Sequence, residues 1–304
     1  MSHHSHLPPE IDEAVRSFIR RHKHGLRWGA LVAGLLVLVI TAVAAWGLLR
    51  GGGRVMGWMA GNTPAFRLPL AWEKPMGEAA LAQLRNQIRF TTDSRVLDPL
   101  NRLAAPLFAA LTNSSDRFTL FVTESKEINA LALPGGYIVF HRGLLERAGS
   151  GEEVQGVLAH EMAHVQKRHG TLQLAQNLGL NLALEQLQGG ENRQLDSLLR
   201  NSGQLLAFKF NRDHERAADD GGWELLEQAQ INPQGMVTFF AALNASMAVG
   251  SAPAIPLLST HPAPQERMER LQQKLSDLGQ REFRSFTEDF QSLRMGLGIS
   301  LEQP

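Results

Sequence analysis

The stretch GVLAHEMAHVQKRHG at residues 156–170 sets two histidines, His160 and His164, four positions apart, with a glutamate directly after the first. On a helix this spacing puts both imidazoles on one face about one turn apart, where they converge on a single metal ion. Glu161 projects about 100° round from His160, beside the ion rather than on it. That is the place for a general base acting on a water acidified by the ion. The bland alternative is a polar helix face, so the pattern calls for a third ligand.

The metzincin arrangement needs Gly and His at set offsets beyond the second histidine, and those offsets hold Lys167 and Gly170, with His169 out of place. The chain has no cysteine, so a third ligand must be His, Asp or Glu. FKFNRDHERAADDGGWELL (208–226) places Glu215 and Asp219 four apart on one helical face, beside the small residues Ala217 and Ala218 that permit close helix packing. Glu215 would complete a His₂Glu zinc site with a fourth position left for water. Asp219 would accept the outer N–H of a ligating histidine. Read alone, this segment is equally the commoner thing, an amphipathic helix with a solvated charged face.

The elements that must position these residues follow from the pattern. Residues 153–168 form the host helix, with Val154, Val157, Leu158 and Met162 apolar and Glu152 and Glu153 at its positive end. Residues 78–90 and 94–112 carry helical spacing of Leu, Ile and Phe, and Pro99 and Pro106 mark a first turn or a kink. RFTLFVT (117–123), INALAL (128–133) and YIVFH (137–141) are β-rich, the last two joined by the turn signature Pro134-Gly135-Gly136. From Gly151 onward the pattern is helical almost to the end. The expected fold is therefore α+β, mostly helical with one small sheet.

The whole chain has 304 residues, 43% of them hydrophobic, with 30 basic side chains against 30 acidic. It is long enough for a sizeable core, and its balanced charge without a basic stripe argues against nucleic acid as a partner. WGALVAGLLVLVITAVAAWGLL (28–49) is free of charge and long enough to cross roughly 30 Å of hydrocarbon, with Trp28 and Trp46 near its ends. A signal peptide would have a shorter apolar region and a shorter leading segment. Arg16, Arg20, Arg21, Lys23 and Arg27 precede the span, against Arg50, Arg54 and Arg67 after it. The expectation is a single-pass anchor with a cytoplasmic N-terminus and the rest outward, periplasmic if the cell is bacterial. The expected organisation is a tail (1–27), a transmembrane helix (28–49), a linker (50–75), a catalytic domain (76–280) and a C-terminal tail (281–304).

Four blocks together resemble the M48 family of zinc metallopeptidases: NALALPGGYIVFHRGLLERA (129–148), LAHEMAHVQKRHG (158–170), NRDHERAADDGGWELL (211–226) and STHPAPQERMERL (259–271). The resemblance covers about residues 75–275 and implies a gluzincin-like domain holding one Zn²⁺. It implies His160, His164 and Glu215 as ligands, Glu161 as base and Asp219 behind a ligand. It further implies an edge strand at Asn129 and Ala130 that reads an extended peptide by β-augmentation. His261, in the Thr-His-Pro element, is an oxyanion donor, a latency switch that reaches the metal, or a helix cap. Arg212 and Arg267 read as structural ion-pair partners. Ala217 stands where many members carry a second acid, and one apolar span rather than several excludes an intramembrane chamber.

The sequence thus points to a membrane-anchored zinc metalloendopeptidase acting on unfolded, misfolded or membrane-associated proteins, quality control being an analogy with the family. The alternative from another class is a zinc-stabilised peptide-binding chaperone or adaptor without turnover, which would have no need of Glu161. A third is a structural membrane protein with a decayed site that holds no zinc.

Overall fold

The computed structural model describes residues 68–111, 117–178, 191–248, 255–262 and 265–299. The tail, the apolar span at 28–49 and most of the linker lie outside these residues. No helix among the described residues is long and apolar enough to cross a membrane.

A 3₁₀ turn at Leu70–Trp72 leads into α1 (Glu73–Gln87), and Trp72 and Glu73 are already buried. The packed region therefore begins near Leu68, earlier than the boundary at 76 expected from composition, because these residues have tertiary partners that a linker would lack. Helix α2 (Ser94–Ala110) is capped by Asp93, whose side chain accepts from the Arg95 N–H at 2.9 Å. Both prolines lie inside α2 rather than in its first turn. Pro99 has no N–H to give the Arg95 carbonyl. Gly296 comes so close to this oxygen that a Cβ would lie 2.0 Å from it.

The sheet has three strands, β1 (Thr119–Thr123), β2 (Ala130–Leu133) and β3 (Tyr137–His141), in the order β1-β3-β2. β2 and β3 form the antiparallel hairpin expected around Pro134-Gly135-Gly136, with Leu133 opposite Tyr137. Gly135 and Gly136 both take positive φ, and a Cβ on Gly136 would meet the Arg117 carbonyl oxygen at 1.9 Å, so the turn needs glycine there. β1 pairs parallel to β3 on the far side, leaving β2 as an edge.

α3 (Arg142–Arg147) follows β3 directly. α4 (Gly151–Gln166) starts at Ser150, whose hydroxyl accepts from the Glu153 N–H while the Glu153 carboxylate accepts from the Gly149 N–H. A helix at 169–178, α5, is followed by α6 (Glu191–Asn201), a 3₁₀ turn (Ser202–Ala207) and α7 (Arg212–Gln228), which Asn211 caps. The remaining helices are α8 (Gln234–Ala248), α9 (Pro256–Thr260), α10 (Gln265–Asp277) and α11 (Thr287–Gly296).

α4 is the central element, its side chains from Val154 to Val165 all out of solvent. The sheet face carrying Leu120, Val122, Ala130, Ile138 and Phe140 joins one core with Leu100, Leu103 and Leu107 of α2 and Val154, Val157 and Leu158 of α4. Phe286, Phe290, Leu293 and Leu297 belong to the same core. The segment after Arg281, expected as a tail, is thus built into the fold by the apolar face of α11.

α7 crosses α4 closely because small residues line the crossing. A Cβ on Gly222 would sit 3.0 Å from the His160 backbone nitrogen and 2.9 Å from Met236 Cε. Gly222→Ala is therefore expected to destabilise the protein by about 1–3 kcal/mol, as overpacking does. Denaturant unfolding of the full chain measures it, and a neutral result would show that the two helices separate freely.

Candidate metal centre and active site

α4 and α7 bring the sequence-predicted ligands together. His160 Nε2 and His164 Nε2 lie 3.1 Å apart, and each is 3.4 Å from a Glu215 carboxylate oxygen. His261, at the C-terminal end of α9, places Nδ1 3.0 Å from Glu215 Oε1 and 3.3 Å from His160 Nε2. The four residues are buried, and their ligand atoms all lie within 4.8 Å of one another. Zinc bonds to nitrogen of about 2.0–2.1 Å in a tetrahedron require donor separations of about 3.4 Å. Five of the donor pairs are 3.0–3.4 Å apart, which fits zinc, and nitrogen and oxygen donors are what it takes.

Glu161 is fully buried beside this cluster, and neither of its carboxylate oxygens has a hydrogen bond among the described residues. A buried carboxylate without a hydrogen-bond partner is costly unless it serves a cation or a reacting molecule. Its nearest polar neighbour is His261 Nε2, 3.6 Å from Oε1.

Asp219 stands one turn beyond Glu215 on α7 and meets His160 from behind, Oδ1 lying 3.2 Å from Nδ1. Arg267 of α10 is inserted between the two α7 acids. Its Nε and Nη2 donate to the Asp219 carboxylate at 2.8 and 2.7 Å, and Nη1 lies 2.7 Å from Glu215 Oε2. Nη1 also donates to the Pro262 carbonyl at 3.2 Å, tying down the chain just after His261. Phe240 and Phe210 pack against the His160 and His164 rings.

These features meet a sequence match that decides the family. Residues 93–275 match the profile of peptidase family M48. The chain belongs to peptidase family M48. Among M48 relatives, the beta-barrel assembly-enhancing protease of Escherichia coli K12 is 28% identical over 225 residues, 70% of this chain and 45% of the relative. Metalloprotease LoiP of the same organism is 31% identical over 156 residues, 50% of this chain and 60% of LoiP. Mitochondrial metalloendopeptidase OMA1 of Schizosaccharomyces pombe is 29% identical over 182 residues, 59% of this chain and 52% of OMA1. The chain thus spans about half the length of the M48 relatives it matches.

The predicted peptide-reading strand needs refinement. β2 is an edge, but the Asn129 carbonyl accepts from the His141 N–H at 3.0 Å and so faces into the sheet. By antiparallel alternation, the outward N–H and C=O groups belong to Ala130 and Ala132. The Ala130 side chain lies in the core, so only its backbone is offered. At the other end of the edge, the Ile128 carbonyl is taken by the Leu257 N–H at 3.2 Å.

Sequence reasoning set Arg267 aside as an ion-pair partner without seeing that its partners include a ligand. Arg212 is exposed at the start of α7. His169 was dismissed for its offset, yet its Nδ1 lies 2.9 Å from His164 Nδ1. Its place next to a helix end was the one signal available.

Electrostatics separate the histidines. Burial opposes a proton on His160, but the Asp219 and Glu215 carboxylates outweigh it and push the group up to about 9. Burial holds His164 well below the ordinary range, the neighbouring His160 and His261 adding to the effect. Burial alone would raise Glu215, yet His261, His160 and His164 bring it well below the usual carboxylate range. Asp219 is lowered in the same way, Arg267 overriding its burial.

Without metal, then, His160 holds a proton that a metal bound through its Nε2 would have to displace. Its value rises from 6.5 to about 9 on folding. Its contribution to metal-free stability is present in full below pH 6.5 and is lost as pH rises through about 9. Zinc affinity should accordingly climb with pH and level off above about 9. Denaturation of the metal-free chain and chelator competition across this window check both slopes; flat profiles would mean that His160 is neutral. Arg267→Ala, which removes the buried guanidinium shared by Asp219 and Glu215 and leaves Asp219 with Arg270 at 3.2 Å and His160, is expected to cost about 3–5 kcal/mol in the same denaturation measurement.

Proposed function

We propose that this protein is a membrane-anchored, zinc-dependent metalloendopeptidase that hydrolyses peptide bonds of misfolded or membrane-associated proteins on the outward side of the membrane. The observation that carries the peptidase reading is a zinc-sized donor cluster beside a buried, unpartnered Glu161 carboxylate. A peptide-binding adaptor would have no use for that carboxylate. The uncharged run at 28–49 supports the anchor, and the charge asymmetry around it supports the orientation. The likeness to the beta-barrel assembly-enhancing protease supports quality control as the setting.

His160, His164 and Glu215 would hold the zinc. When bound, zinc supplies a Lewis acid that acidifies water and polarises a carbonyl. Glu161 takes a proton from the attacking water and returns it to the amide nitrogen as the C–N bond breaks. Asp219 and Arg267 keep His160 and Glu215 from turning. Ala130 and Ala132 offer backbone groups to an extended substrate, which selects for extended chain more than for sequence.

His261 bears on when the enzyme works. A zinc site with four protein donors is closed, and a catalytic one keeps a position open. With Nδ1 among the donors, His261 acts as a latch rather than as an oxyanion donor, and turnover requires it to swing out.

Glu161→Gln should retain one zinc per chain while casein cleavage falls by about 10²–10⁴-fold. Cleavage surviving in Glu161→Gln would sink the assignment of the base. His261→Ala should cleave faster than wild type by on the order of tenfold, as releasing a competent state held to roughly a tenth of the population would give. Slower cleavage by that variant would instead make His261 a participant in the reaction.

A further inference from the structure

One contact reaches a ligand from outside the donor cluster and is not part of the reading above. His169 Nδ1 lies 2.9 Å from His164 Nδ1, with both rings buried. Given that His164 serves zinc through Nε2, on which this inference rests, its chemistry has one solution. The Nε2 lone pair is committed, so a neutral His164 carries its proton on Nδ1. His169 Nδ1 must then be the acceptor, and its own proton sits on Nε2. We propose that His169 is the positioning residue of His164, fixing the tautomer and ring plane of this ligand as Asp219 does for His160.

The backbone is bent to make this contact. On an uninterrupted helix, a residue five positions on points about 140° away. Here α4 stops at Gln166, and Arg168 adopts φ 57°, a left-handed conformation unusual outside glycine. Glycine would relax there, but the Arg168 side chain is in use. It pairs with Glu73 of α1 and donates to the Leu68 carbonyl at 2.8 Å, while the Thr171 hydroxyl donates to the same Glu73 oxygen at 3.0 Å. The reversal swings His169 back onto His164. The ring of His214, next to Glu215 in sequence, stacks on His169 at 4.3 Å between centroids and 15° between planes. His169 is thereby held from its backbone and from its face.

The test uses zinc affinity of the full chain, by chelator competition, for wild type, His169→Asn, His169→Phe and His169→Ala. The Asn Oδ1 stands where Nδ1 stood and keeps the acceptor, whereas Phe keeps the stacking without it. The Ala and Phe variants should lose about 10–100-fold in zinc affinity and the Asn variant should stay close to wild type. Nitrogen-15 NMR of zinc-loaded wild type should show His169 protonated at Nε2 and His164 at Nδ1. This measurement decides alone if the Phe and Ala variants do not fold. A Phe variant that binds zinc as tightly as wild type, or a proton on His169 Nδ1, overturns the role of His169. Wild type without stoichiometric zinc, or zinc retained by His164→Ala, overturns the ligand assignment and this inference with it. Zinc lost by His164→Ala and weakened in the His169→Ala and His169→Phe variants, but not in His169→Asn, leaves both standing.

Discussion

Three carboxylates, Glu161, Glu215 and Asp219, lie out of water around one point, and the rest of the centre follows from the need to balance them. Withdrawing an anion from water costs several kcal/mol even after the protein relaxes. Arg267 supplies one buried positive charge, shared between Asp219 and Glu215. A divalent cation would supply two more at the buried centre, with the partly exposed Arg270 reaching Asp219 Oδ2 at 3.2 Å from the rim. In the metal-free state the nearest substitute is a proton on His160, which explains why this histidine is raised while burial lowers His164 and His169. The site is selected for a dication by its charge as much as by its distances.

Meeting that balance requires three regions far apart in sequence, around His160, Glu215 and His261, to come within a few ångströms, and α4 is the common wall. It must be buried on all sides, so it is apolar and small where it is not chemical. Gly156 accepts the backbone of Met236, and Gly222 of α7 slides in at His160. The core beneath the sheet holds α4 from below while α7, α8 and α10 close over its histidines. Phe240 illustrates the economy of the arrangement, since one ring packs against His160 and also lies under the Arg267 guanidinium at 4.6 Å.

What was legible in the sequence was local and periodic. The His-Glu-x-x-His helix, the Glu215–Asp219 spacing and the Pro-Gly-Gly hairpin each fit within about twenty residues, where backbone geometry dictates neighbours. The parallel pairing of β1 with β3 depends on a crossover that no local pattern encodes. Arg168 and Glu73 are likewise partners 95 residues apart, so neither signalled its role. His261 was visible as a candidate, yet its place in the donor cluster is set by α9 meeting the end of β2, through Leu257 and Ile128. α11 was lost for another reason: its polar face is broad and its apolar side chains few, so the segment resembled a tail until its partners were known.

The donor set also determines how the centre ages. It contains no sulfur, and a chain without cysteine has no thiolate to offer. Peroxide has no thiolate to carry from sulfenic to sulfonic acid, and no thiol–disulfide pool can pull on the fold. The methionines nearest the histidines, Met162 and Met236, are wholly buried, whereas Met295 lies exposed on α11, far along the chain from any ligand. Among the described residues the exposed thioether is thus away from the candidate ligands, and a donor set of nitrogen and oxygen has no sulfur to oxidise.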